Sequence, residues 1–61
     1  MKIGDKVILE EAYTTKIKPY KGKIGEIKSI IASRRILVEF ENGFMISLPR
    51  RRFIQFKSKN N

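Results

Sequence analysis

The segment that most restricts the fold is RILVEFENGFMISL at residues 35–48, in which apolar and polar side chains alternate. Period-two alternation is typical of strands with one buried face. A turn formed by Asn42-Gly43 alone would set the apolar row of one strand against the polar row of the other. A loop of residues 41–43 avoids this mismatch and requires Gly43 in the left-handed conformation. The predicted cross-strand pairs are Phe40 with Phe44, Val38 with Ile46, and Ile36 with Leu48.

The first half of the chain contains two further candidate strands. Residues 6–10 follow a Gly-Asp pair and are apolar enough for a strand. Residues 11–21 are polar and include a proline, which predicts a long loop. Residues 22–32 combine two glycines with four isoleucines, a composition that favours a bent strand over a helix. A bulge at Gly25 would turn both Ile24 and Ile27 toward the core.

The end of the chain is predicted to close the fold. Proline cannot donate a hydrogen bond to a sheet, so residues 49–52 are predicted to form a single helical turn. This turn would deliver Phe53, Ile54 and Phe56 into a short final strand. The KSKNN segment, residues 57–61, has nothing to bury and is predicted to be disordered.

Several of these segments resemble the small SH3-like barrels, and within them the KOW group of nucleic-acid-associated domains. The matching segments are Gly4-Asp5-Lys6-Val7, residues 21–27 with Ile30, Val38-Glu39-Phe40 followed by Asn42-Gly43, and residues 48–54. The resemblance implies an all-β fold over residues 1–56, a five-stranded SH3-like barrel with a short helical turn before the last strand. It also implies that Gly22 makes a tight approach and that Gly25 permits a bend. The loop before Gly22 is longer than in a minimal unit of the group, as it is in one ribosomal protein type.

Composition limits the classes of function. With 61 residues, the chain has room for one small domain. It contains no cysteine and no histidine, which removes thiolate nucleophiles, disulfides and the commonest acid–base and metal-binding side chain. We therefore expect a binding module that is not an enzyme and holds neither cofactor nor metal. No apolar run has the length of a signal peptide or a membrane span, so we expect a cytoplasmic protein.

The charge of the chain is concentrated in two blocks. The formal net charge is +8, and residues 16–28 hold five lysines against one glutamate. Residues 44–61 hold three arginines and two lysines with no acid. Such blocks attract polyanions, which predicts a module for RNA or structured nucleic acid that contacts mainly phosphates with low sequence specificity. The predicted nucleic-acid-binding residues are Tyr13, Lys16, Lys18, Lys21, Lys23, Arg34, Arg35, Arg50 and Arg51.

Two groups of aromatic and basic residues have competing interpretations. Tyr13 either stacks on a base or caps the barrel, whereas Tyr20, beside a proline, is the better candidate for a structural role. Consecutive residues of a helical turn point about 100° apart, so the three arginines at 50–52 cannot all serve one site. At least one of them is expected to be a solvated bystander.

An acidic protein is the alternative partner for the same basic surface. Similar barrels occur as small subunits of photosynthetic complexes, where they dock acidic proteins. Leu37 and Met45, on the outward face of the hairpin, would then form the apolar centre of the contact. Glu39 and Glu41 are expected to pair with lysines or to keep polyanions off that face. Neither a membrane nor a small-molecule substrate is expected as a partner.

Overall fold

The computed structural model describes residues 1–56, and the predicted disordered tail at residues 57–61 lies outside the described residues. The strands are β1 (Lys6–Leu9), β2 (Ile24–Ala32), β3 (Arg35–Phe40), β4 (Met45–Pro49) and β5 (Phe53–Gln55), with 3-10 turns at Lys18–Tyr20 and Arg50–Arg52. All pairings are antiparallel and form one sheet in the order β4-β3-β2-β1-β5. The all-β prediction is therefore confirmed, together with the helical turn before the last strand. Closure of the sheet into a barrel stays a prediction.

The β3–β4 hairpin has the predicted register. Ile36 lies opposite Leu48 and Val38 opposite Ile46. At the loop, the Phe40 N–H donates to the Phe44 carbonyl at 2.8 Å. Gly43 has a φ of +90°, a conformation that L side chains rarely adopt. The loop of residues 41–43 is thus confirmed, because it alone keeps the apolar rows of both strands on one face.

The core is one layer of aliphatic and aromatic side chains contributed by four of the strands and by the long loop. Each buried strand residue alternates with a more exposed neighbour, as expected for strands with a single buried face. The fully or nearly buried residues are Val7, Leu9, Ile17, Ile27, Ile36, Val38, Phe40 and Phe53. Ala12, Tyr20, Phe44, Ile46 and Leu48 pack against them and are partly buried.

The long loop contributes to this core, which the sequence reading did not predict. Ile17 lies in the polar stretch before the first 3-10 turn, yet only 2% of its surface is exposed. The Leu9 carbonyl accepts a hydrogen bond from the Gly22 N–H at 2.7 Å, so the far end of the loop is fixed as well. The signal available in the sequence was that Ile17 is the one large aliphatic residue of this loop. The loop is therefore packed onto the sheet over part of its length.

The predicted bulge at Gly25 is wrong. The β2 ladder is regular from Ile24 to Ile27, so these two isoleucines lie on opposite faces, and Ile24 is 44% exposed. Gly25, two residues before Ile27 in the same strand, faces the core in place of Ile24. The register shifts come later, between Ile27 and Ser29 and again between Ile30 and Ala32. The strand itself is confirmed, and its irregularities lie beyond the glycine and not at it.

The roles that the family resemblance implied for the two glycines are also exchanged. Gly25 makes the close approach, because a Cβ there would overlap Val38 Cγ1 and lie 3.1 Å from the Glu39 carbonyl oxygen. Gly22 has open space around it and a φ of +83°. The first glycine is thus required for its backbone angle, and the second for the space that the core side chains of β3 occupy.

The last strand is shorter than predicted. β5 ends at Gln55, so Phe56 lies just beyond it, and the second 3-10 turn begins at Arg50, with Pro49 still in β4. Phe53 opposes Leu9 and is buried, whereas Ile54 and Phe56 are 43% and 42% exposed. Strand alternation explains this result for Ile54, because only one of two consecutive residues can face the core.

Candidate nucleic-acid interface

The outer face of β1, β2 and β3 carries charges that neutralise one another. Lys6 Nζ lies 3.2 Å from Glu26 Oε1, and Lys28 Nζ lies 3.7 Å from Glu26 Oε2 and 3.5 Å from Glu39 Oε1. We call these four residues the ion-pair network. Glu26 and Glu39 are direct cross-strand neighbours, so the two lysines also relieve repulsion between like charges. The expected pairing of Glu39 with a lysine is confirmed.

The ion-pair network changes the acid–base behaviour of Glu26. The hydrogen bond from Lys6 and the nearby charge of Lys28 hold the pKa of the Glu26 carboxyl below its ordinary value. Both partners favour the charged carboxylate, because each interaction weakens when the group takes up a proton. This part of the surface therefore offers little net charge to an external anion.

The arginines form a different kind of surface. The Arg50 N–H donates to the Arg34 carbonyl at 2.6 Å, and Arg35 opposes Pro49 at the end of the β3–β4 ladder. The second 3-10 turn is thereby held against the β2–β3 turn. We call Arg34, Arg35, Arg50 and Arg51 the arginine ridge. All four are exposed, and none takes part in an ion pair within residues 1–56.

Arg52 does not belong to the arginine ridge. It is half-buried, and its Cζ lies 4.5 Å from the centre of the Tyr13 ring. Its carbonyl accepts hydrogen bonds from the N–H groups of Glu10 and Glu11, at 2.8 and 3.2 Å. At least one of the three arginines was expected to be a solvated bystander, with none singled out. Arg52 instead has a packing contact, which joins the second 3-10 turn to the long loop and which no pattern in the sequence indicates.

The two tyrosines have different surroundings. The Tyr20 ring stacks on Phe44 and lies tilted against Phe40, with centroid separations of 4.6 and 4.8 Å, and its hydroxyl accepts a hydrogen bond from Asn42 Nδ2. Tyr20 therefore has the structural role expected of it. Tyr13 is 64% exposed, and its hydroxyl donates to Glu11 Oε1 at 2.9 Å. This bond to a carboxylate raises the pKa of the Tyr13 hydroxyl.

The predicted lysines all come from one segment. Within the described chain these side chains are exposed and make no ion pair, and Ile17 and Tyr20 anchor their segment to the core. The four are Lys16, Lys18, Lys21 and Lys23. The long loop contacts the segment that carries the arginines through Tyr13 and Arg52. The structure thus joins the two segments that carry the four ridge arginines and holds the lysines on a separately anchored loop.

The two residues predicted for a protein contact both lie on the outer face of the β3–β4 hairpin, as diagonal neighbours and not as a directly opposed pair. Leu37 is half-buried opposite Ser47, whereas Met45 is 45% exposed opposite Glu39. A larger apolar row lies elsewhere, where Ile8 stands between Ile24 and Ile54 on the outer face of three neighbouring strands. The alternation of β1 could have revealed it, because Val7 and Leu9 face inward and leave Ile8 outside.

The described part of the chain has neither a metal-binding cluster nor a membrane-length helix. In residues 1–56 no group of three or more His, Cys, Asp or Glu side chains could hold a metal ion. No helix in this range is long and apolar enough to cross a bilayer. No protein-family model, curated protein or solved structure matches the chain.

Proposed function

We propose that this chain is a non-enzymatic nucleic-acid-binding module of the KOW type, which holds RNA or structured nucleic acid mainly through phosphate contacts. The observation that carries the proposal is the arginine ridge. The backbone hydrogen bond from Arg50 to Arg34 joins two segments that carry four exposed arginines, and no acid is paired with any of these arginines in residues 1–56. A cytoplasmic location, where RNA is abundant, is part of the same proposal.

Arginine suits this task because of its geometry. Its planar guanidinium presents several N–H donors in a fixed fork that matches two oxygens of one phosphate. The lysines of the long loop would add point charges beside the ridge. Phosphate contacts position a protein on a nucleic acid but carry no sequence information directly. We therefore expect broad binding to many sequences.

The dependence of affinity on salt tests this proposal. Each phosphate neutralised releases condensed counterions, so about four to six contacts would give a slope of log K against log salt of roughly −3 to −5. Fluorescence anisotropy with a labelled RNA hairpin, titrated between low and physiological salt, measures the slope. Absence of binding at low salt, or an affinity that does not change with salt, would contradict the proposal.

An acidic protein is the second candidate partner, and the apolar row on the sheet is the observation that favours it. Ile8, Ile24 and Ile54 lie side by side across three strands, and Ile24 and Ile54 are more than two-fifths exposed. Protein interfaces combine such an apolar centre with a charged rim. In this case Ile54→Ser would weaken the complex and leave RNA affinity unchanged. A partner that stays bound after nuclease treatment would favour this candidate.

A further inference from the structure

Tyr13 is an aromatic side chain that the fold displays and does not bury. It is 64% exposed and is not among the residues that pack against the core, in contrast to Tyr20. A single exposed aromatic side chain is common on protein surfaces and by itself indicates no function. Tyr13 is not free to move like an ordinary surface residue, however, because two other side chains hold it.

The two contacts fix the ring in complementary ways. The Arg52 guanidinium lies over one ring face, 4.5 Å from its centre, and the Tyr13 hydroxyl donates to Glu11 Oε1 at 2.9 Å. Arg52 is itself held by its carbonyl, which accepts hydrogen bonds from two N–H groups of the long loop. The ring is therefore held by two contacts before any ligand arrives, with Arg52 over one face and 64% of the residue exposed. Preorganisation of this kind lowers the entropy cost of binding.

We infer that Tyr13 is a stacking site for one unpaired nucleobase, which would lie on the ring face opposite Arg52. The base, the tyrosine ring and the guanidinium would form a stack of three planes. Bases inside a duplex already have both faces covered, so such a site favours single-stranded or looped nucleic acid. Arg50 and Arg51 precede Arg52 on the same 3-10 turn and are exposed for the phosphates of that strand. The inference rests on the proposed function, because the phosphate contacts bring the base to the ring.

Oligomers with and without bases separate the stacking site from the phosphate contacts. The probes are a ten-nucleotide uridine oligomer, a thymidine oligomer of the same length and an abasic oligomer with the same number of phosphates. Tyr13→Ala should weaken binding of both base-bearing oligomers about 5- to 100-fold. It should change binding of the abasic oligomer less than about twofold, since only phosphate contacts act there. Tyr13→Phe keeps the ring and should retain most of the affinity.

Tyrosine fluorescence provides a direct signal, because the chain has two tyrosines and no tryptophan. Tyr20→Phe keeps the ring that packs on Phe40 and Phe44 and leaves Tyr13 as the single emitter. Stacking should quench this emission with the uridine and thymidine oligomers but not with the abasic one. Tyr13→Phe, in which only Tyr20 emits, corrects for absorption by the bases.

The outcomes distinguish the two proposals. If the abasic oligomer binds with the expected salt dependence, but Tyr13→Ala weakens all oligomers equally or no quenching occurs, the stacking site is refuted and the phosphate interface stands. If none of the oligomers binds at low salt while the RNA hairpin does, the stacking site is refuted and the phosphate interface stands, and if the hairpin also fails to bind, both proposals fail. A larger response to uridine than to thymidine would identify RNA as the source of the base, and the reverse would identify DNA.

Discussion

Two regions of this surface are rich in cations, and they differ in where the acids lie. In the ion-pair network, each lysine has a carboxylate within 4 Å. On the arginine ridge, no described acid is paired with any of the four cations. The strands explain the contrast, because antiparallel pairing sets Glu26 beside both Lys6 and Glu39. The ridge comes instead from the β2–β3 turn, the first residue of β3 and the second 3-10 turn, and none of these contains an acid. Net charge alone therefore does not locate a binding surface, and the position of the acids does.

The largest expected effect comes from removing equal charge from the two regions. Arg50→Gln/Arg51→Gln and Lys6→Gln/Lys28→Gln each lower the net charge by the same amount. We expect the arginine variant to bind an RNA hairpin about 100-fold more weakly at low salt, because it loses two charge-assisted contacts. Its salt slope should become shallower by roughly 1.5. The lysine variant should change affinity less than about threefold.

Anisotropy titrations of both variants at several salt concentrations check this prediction, and circular dichroism shows whether each still folds. An equal loss of affinity in the two variants would remove the distinction between the regions. Binding would then follow the total charge of the chain.

A smaller effect is expected when the acids of the network are removed. Glu26→Gln/Glu39→Gln frees Lys6 and Lys28 and makes the outer face of the sheet resemble the ridge. We expect affinity for RNA to rise about 3- to 10-fold at low salt, with a steeper salt slope, since up to two further phosphates can be neutralised. Asp5→Asn/Glu10→Gln is the matched control, because neither of these acids belongs to the network. An equal gain in the control variant would show that only net charge matters.

Arg52 belongs to neither region, which provides a third test. Arg52→Gln should lower the melting temperature by about 2–8 °C, because the contact with the Tyr13 ring is lost. It should leave the salt slope of binding to an abasic oligomer almost unchanged, in contrast to Arg50→Gln. Thermal unfolding followed by circular dichroism, together with the same salt titration, measures both quantities. A slope that falls as much as for Arg50→Gln would place Arg52 in the phosphate interface.

Local patterns in the sequence predicted part of the structure, and contacts between distant residues determined the rest. The β3–β4 hairpin was predictable because alternation and the position of Gly43 allow one register. The face of the sheet on which Ile24 lies could not be predicted in this way. It depends on whether Gly25 forms a bulge or fits under Val38 and Phe40, and packing between strands decides this. The blocks of like charge were visible in the chain. The hydrogen bond that joins Arg50 to Arg34, and the contact of Arg52 with Tyr13, link residues far apart in sequence and leave no local pattern.

The smallest expected effect is the response of the ion-pair network to acid. The pKa of the Glu26 carboxyl is lowered in the folded chain by Lys6 and Lys28, so folding favours its charged form. This contribution is fully present above the ordinary pKa of a glutamate, about 4.3, and is lost as the pH falls through the lower folded value. The Glu26→Gln variant lacks this carboxyl, so it should be less stable than the native chain at pH 7. The two stabilities should converge as the pH falls through the lowered pKa of Glu26. Urea unfolding of both chains between pH 7 and pH 3 measures the difference. A difference in stability that widened on acidification would mean that Glu26 is neutral in the folded chain. Its carboxyl would then not balance the charges of Lys6 and Lys28, and the outer face of the sheet would carry uncompensated cations as the ridge does.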